Sequence, residues 1–181
     1  MRGNTEMVLN WFIIQAYRSF TGSAYNTPSA FRHKALHTHK RKHPMALKLG
    51  YKELIADAMN KIETLELEQA KALLDDPNTL FVDIRDVREL EREGMIPNAF
   101  HAPRGMLEFW VDPDSPYYKP ELGSGKRLLL YCGSAWRSAL AVEVLGRMGV
   151  PNVCHIAGGF TAWKKAELPI AQKPSKSHPT Q

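Results

Sequence analysis

The sequence predicts an α/β domain built on a mostly parallel sheet with helices on both faces. Three features carry that expectation. Short apolar runs, "TLFVDI", "LLLYC" and "NVCHIA", have the length and continuity of buried strands. Segments with apolar residues at helical spacing separate them. Strands that alternate with helices in this way feed a parallel sheet covered on both sides, and ligands of such sheets sit beyond the carboxyl ends of the strands.

Residues 1–44 lack a sustained hydrophobic period. They hold seven of the 24 basic residues and one of the 19 acidic ones, so a net charge of +5 divides into +6 on this segment and −1 on the rest. A basic tail on a near-neutral domain does not make a nucleic-acid-binding domain. The expectation is a basic, poorly ordered N-terminal extension. Arg2, Arg18 and Arg32 with little acid leave organelle targeting open. His33, His37, His39 and His43 include i, i+4 pairs of the kind that ligate zinc, yet no cysteine or carboxylate lies nearby to complete a site, so no metal is expected.

From Met45 the pattern tightens. "YKELIADAMNKIETL" places Leu54, Ile55, Ala58, Met59 and Ile62 at helical spacing, which predicts an amphipathic helix within 45–61 that packs on the domain. "LEQAKALLDDPN" repeats the signal and stops at Pro77. "TLFVDI" follows as a strand, "RDVRELEREG" as a helix or helical turn ending at Gly94, and "MIPNAFHAPRG" as a short strand near Phe100 between turns. Three prolines and two glycines make "VDPDSPYYKPELGSGKR" an irregular connection. "LLLYC" is a strand, and "RSALAVEVLGRM" a helix with Leu140, Ala141, Val144, Leu145 and Met148 inward and Gly149 its stop. "NVCHIA" is a further strand, "GGFTAWKKA" a turn and helix, and 171–181 a flexible tail.

No apolar run approaches the roughly 20 residues needed to span a bilayer, so no membrane association is expected. The two cysteines, Cys132 and Cys154, read as reduced thiols in a reducing compartment, and the expected location is cytoplasmic. Cys154, mid-strand, reads as a buried hydrophobe.

Cys132 stands where a strand hands over to a helix. The backbone N–H groups of Gly133, Ser134, Ala135, Trp136, Arg137 and Ser138 lie at or just before the helix N-terminus, where unpaired donors and the positive end of the dipole converge on an anion. That environment favours a thiolate nucleophile. Small residues let the loop curl around the sulfur, and Arg137 is placed to pair with an anionic substrate. A phosphatase loop has five residues between cysteine and arginine; here four separate Cys132 from Arg137. The smaller cradle suits one sulfur atom carried as a persulfide better than a phosphoryl group.

These motifs, in this order, resemble those of single-domain rhodaneses. "LFVDIRDVRELEREGMIPNAFHAP" is similar to the family's first signature, "YCGSAWRS" to its active loop, and "GVPNVCHIAGGFTAWKKAELPI" to its carboxyl-terminal signature. The resemblance covers 62–170 and implies a rhodanese-like domain with Cys132 as the catalytic residue and Gly133 to Ser138 as the substrate-binding loop. Asp83 and Arg85 are then expected to support the strand-to-helix turn by charge-assisted hydrogen bonds. Two positions depart from the family: Ala135 stands where glycine is common, and Met95 where histidine is usual. Trp136 adds an aromatic wall beside the sulfur or packs against the long connection.

The resemblance implies a sulfurtransferase that moves a sulfane sulfur from thiosulfate or a persulfide donor to a thiol, a protein acceptor or cyanide, without metal or organic cofactor, as a monomer or homodimer. A catalytically idle binding module is the alternative, and a phosphatase or arsenate reductase a further one that the loop length disfavours.

Overall fold

The computed structural model describes residues 47–173. The expectations for 1–44, histidines and targeting included, lie outside the described residues, as does the tail beyond 173.

Five strands form one sheet: β1 (Glu63–Leu65), β2 (Thr79–Asp83), β3 (Phe100–His101), β4 (Arg127–Tyr131) and β5 (Val153–Ile156). The order is β1-β5-β4-β2-β3 and every pairing is parallel. The helices are α1 (Tyr51–Met59), α2 (Leu67–Ala72), α3 (Val87–Glu93), α4 (Leu107–Val111), α5 (Trp136–Arg147) and α6 (Gly159–Lys165). None is long and apolar enough to cross a membrane.

Alternation along β4 divides the core. Leu128 and Leu130 pack with Val82, Ile84, Leu107 of α4 and Ala141, Val142 and Leu145 of α5 on one face. Leu129 and Tyr131 pack with Phe81, Ile156, Ala70 of α2 and Phe160 and Trp163 of α6 on the other. A period of two on a strand between two helical layers requires apolar residues at every position, which is why "LLLY" reads as one continuous run. Cys132, at the end of this central strand, belongs to the first cluster and Cys154 to the second.

Four local expectations change. The apolar stripe of α1 is shallow: Ala58 is buried, while Leu54 and Met59 stay exposed where the helix rests against α5. The helical pattern ends early because "ETL" pairs with β5 as the edge strand β1, an extended segment whose alternation is too short to register. Arg104–Met106 forms a 3-10 turn that leads into α4, where Leu107 and Val111 are buried, so part of the long connection is helical. The inward face of α5 is Ser138, Ala139, Ala141, Val142 and Leu145, and Met148 points to solvent.

α3 ends at Gly94 as expected, and its start is set by a cap that the structure adds. Asp86 caps it by accepting the Arg88 N–H, Glu89 returns the bond to the Asp86 N–H, and Gly94 ends it at φ 76°. Met95 is buried and exchanges backbone hydrogen bonds with Ala171, so the chain is still tied down one residue past Ile170.

Candidate active site

Cys132 follows β4 directly, is almost wholly buried, and opens the loop that enters α5. Ala135 is the helix N-cap with φ 67° and ψ −11°, in the left-handed region, and no side chain caps the helix. A residue with a Cβ there costs about 1 kcal/mol relative to glycine. The left-handed turn redirects the chain so that the N–H groups of Gly133 to Ser138 donate to no backbone carbonyl among the described residues. They form a run of donors without backbone partners, beginning one residue after Cys132.

α6 holds the loop from behind. The Phe160 N–H donates to the Cys132 carbonyl at 2.8 Å, and the Thr161 N–H to the Gly133 carbonyl at 2.9 Å. In a trans peptide the C=O and the following N–H point in opposite directions. Pinning these two carbonyls therefore turns the N–H groups of Gly133 and Ser134 away from α6. Gly158 and Gly159 carry φ of 66° and 61°, and a Cβ on Gly159 would stand 2.5 Å from the Cys132 carbonyl oxygen. Only glycine lets α6 come this close.

Side chains complete the surroundings. Ser138 is fully buried, with its Oγ 3.7 Å from Cys132 Sγ and 3.0 Å from the Ala135 carbonyl it donates to. Ser134 is exposed at the mouth. Arg137 is not free to await an anion: its guanidinium makes a two-pronged pair with Glu89 of α3 at 2.7 and 2.8 Å, beside Gly133. That pair holds the Glu89 carboxyl down at about 2 and raises Arg137. An anionic donor has to share Arg137 with Glu89. Trp136 is 53% exposed and packs on Tyr51 of α1, ring centroids 5.6 Å apart, rather than on the long connection.

Asp83 and Arg85 sit at the next strand end, both buried. Arg85 Nε lies 3.0 Å from Asp83 Oδ1 and Nη2 lies 2.7 Å from Oδ2, while Nη2 also donates to the Gly94 carbonyl. The Phe160 ring stacks under the guanidinium at 3.9 Å. Cys154 is buried under the opposite layer, and burial pushes its thiol up to about 11.

Three residues here escaped the sequence reading: Glu89, and the chain of His155 and Thr64 behind Ser138. The signal for His155 was a polar residue inside the otherwise apolar strand "VCHI". No group of three or more His, Cys, Asp or Glu that could hold a metal occurs among the described residues.

A family model described as the rhodanese-like domain matches residues 66–166. A sulfurtransferase of Allochromatium vinosum is 32% identical over 112 residues, covering 62% of this chain and 94% of its own. A solved structure from Rhodopseudomonas palustris, of a protein of unknown function described as a possible tyrosine phosphatase, is 45% identical at a TM-score of 0.69, covering 71% of this chain and 99% of that one. The polysulfide-sulfur transferase homodimer of Wolinella succinogenes is 26% identical at a TM-score of 0.52, covering 72% and 93%. Longer relatives also match: the chain spans 32% of a tRNA uridine(34) hydroxylase of Escherichia coli at 28% identity.

Proposed function

The chain belongs to the rhodanese-like family, and on that premise we propose that it is a sulfurtransferase carrying a sulfane sulfur on Cys132 as a persulfide. One observation carries the reading. Six backbone N–H groups, from Gly133 to Ser138, have no backbone acceptor among the described residues, and α6 holds the carbonyls of Cys132 and Gly133. Unpaired donors at a helix N-terminus, beside a buried sulfur, suit an anion held there.

In the first half-reaction the Cys132 thiolate attacks the outer sulfur of thiosulfate or of a persulfide. The sulfur–sulfur bond of the donor breaks, sulfite or a thiolate leaves with the electron pair, and Cys132 holds a persulfide whose terminal sulfur carries the charge. In the second, a thiol or cyanide attacks that terminal sulfur, and Cys132 departs as a thiolate. Exchange at sulfur needs a good nucleophile and a stabilised leaving group more than proton transfer. Gly133, Ser134, Ala135 and Trp136 supply loop donors, and Arg137, shared with Glu89, meets the anionic donor. The sulfurtransferases among the relatives support transfer of sulfur in general.

A phosphatase reading draws on the Rhodopseudomonas palustris neighbour's description. Four residues between Cys132 and Arg137 make a ring too small for a phosphoryl group, which is why sulfur transfer is preferred.

The test is intact mass of the reduced protein after thiosulfate treatment and desalting, beside Cys132→Ser. We expect a gain of about 32 Da, one sulfur, that cyanide removes and the variant lacks. No gain with thiosulfate or a persulfide donor would leave an idle binding module. Hydrolysis of a phosphate monoester, lost in Cys132→Ser, would replace the reading with phosphatase chemistry.

A further inference from the structure

His155 is a fully buried titratable residue to which sulfur transfer, as set out above, gives no task. It lies on β5 directly opposite Thr64 of β1. Its Nε2 is 2.9 Å from Thr64 Oγ1, and its Nδ1 is 3.2 Å from Ser138 Oγ. Ser138 Oγ in turn is the side-chain oxygen 3.7 Å from Cys132 Sγ. A continuous row of polar groups thus runs from the edge strand to the nucleophile, with Ser138 and His155 wholly buried and Thr64 half-buried.

The proton inventory restricts what this row can do. Ser138 has one hydroxyl hydrogen and two lone pairs, but three neighbours: the Ala135 carbonyl, His155 and Cys132. The carbonyl only accepts. Burial alone holds His155 down at about 4, so the ring is neutral at neutral pH and carries one N–H. The charged groups beside the loop, Arg137 and Glu89, are paired with each other. With the N–H on Nε2, Nδ1 is an acceptor and competes for the only Ser138 hydrogen. With the N–H on Nδ1, the imidazole fills one Ser138 lone pair and leaves that hydrogen for another partner.

We propose that His155 is a positioning residue for Cys132: its Nδ1–H donates to Ser138 Oγ, which commits the Ser138 hydrogen to the Cys132 sulfur whenever that sulfur is a thiolate. The inference rests on Cys132 being the sulfur carrier. In the thiol state the S–H donates to Ser138 Oγ and the hydroxyl points to the Ala135 carbonyl. On ionisation the hydroxyl turns to the sulfur. When the charge moves to the terminal sulfur of the persulfide the hydroxyl turns back, and it returns to Cys132 as the thiolate leaves in the second half-reaction. Thr64 donates its hydroxyl to Nε2 and holds the ring in the tautomer the turn requires.

The experiment uses the full chain without any sulfur donor and reads Cys132 alkylation by iodoacetamide at neutral pH, together with long-range proton–nitrogen NMR correlations of the His155 ring. Peptide mapping assigns the alkylated residue, so reaction at Cys154, whose thiol burial pushes up to about 11, is counted separately. The wild type should show the Nδ1–H tautomer. His155→Leu, with no donor, should alkylate about tenfold more slowly, the size expected for losing one hydrogen bond to a charged group. His155→Asn, whose side-chain amide can stand where Nδ1 stands, should recover most of the rate. An Nε2–H tautomer in the wild type overturns the proposal, as does a Leu variant as fast as wild type or an Asn variant as slow as the Leu one. If the Leu variant does not fold, the tautomer and the Asn variant decide. Alkylation reports the thiolate whether or not Cys132 accepts sulfur, so failure of the persulfide test and failure of this one are separate results.

Discussion

Two neighbouring strand-to-helix turns of this sheet are built in opposite ways. After β2, Asp83 and Arg85 bond each other and Gly94, and Asp86 and Glu89 cap α3 reciprocally; of the buried side-chain polar atoms there, Arg85 Nη1 alone has no hydrogen bond. After β4, the loop from Cys132 enters α5 through a left-handed alanine with no capping side chain and unpaired N–H groups. One turn satisfies its own polar groups and carries structure. The other leaves its N–H groups without backbone acceptors among the described residues, and is held by α6 behind it.

The largest effect should come from breaking the closed turn. Asp83→Ala leaves the Arg85 charge buried with the Gly94 carbonyl as its remaining hydrogen-bond partner, and chemical denaturation should show a loss of about 3 to 5 kcal/mol. Stability within about 1 kcal/mol of wild type would mean that the pair is dispensable.

Breaking the open turn from behind should cost less stability but more function. Gly159→Ala puts a Cβ 2.5 Å from the Cys132 carbonyl at a positive φ, which should cost about 2 to 4 kcal/mol. Sulfur transfer per folded molecule should fall at least as far as in His155→Leu, because both pinned carbonyls shift. A variant with full transfer activity would show that α6 does not orient the loop.

Acid should distinguish the two turns. His155 is depressed from 6.5 to about 4, so the unfolded chain binds its proton first as pH falls. Its contribution is full above 6.5 and is lost as pH drops from 6.5 to about 4, amounting to about 3 kcal/mol. Melting temperature followed across that range should decline in the wild type and much less in His155→Asn. The smallest effect sharpens the contrast: Ala135→Gly relieves the left-handed alanine, and chemical denaturation should show a gain of about 0.5 to 1 kcal/mol.

The two turns also differ in how much of them the sequence reveals. Asp83 and Arg85 are read from adjacent residues, and the end of α3 from Gly94, since local hydrogen bonds leave local spacing. Cys132 to Ser138 is legible because strand, small-residue loop and helix follow one another directly. The supports of the loop are not, because they arrive from remote chain. Glu89 sits in a run of charges that reads as solvated helix surface, and its pairing with Arg137 exists only once α3 and α5 are placed. Thr64 lies in a three-residue strand that continues a helical pattern, and His155 in a strand too apolar to advertise one polar partner. The shifted inner face of α5 has the same origin: burying Ser138 behind Cys132 rotates the helix away from its most apolar side.

The dependence of the loop on α6 sets an order on biosynthesis. A ribosome-bound chain that has emerged as far as Arg147 already contains the nucleophile, the arginine and the whole helix after them. It lacks Phe160 and Thr161, whose N–H groups hold the Cys132 and Gly133 carbonyls. Until those last turns dock, these two bonds do not pin the loop carbonyls. If Cys132 carries sulfur as proposed, the growing protein would acquire that activity only when the sheet is closed from behind.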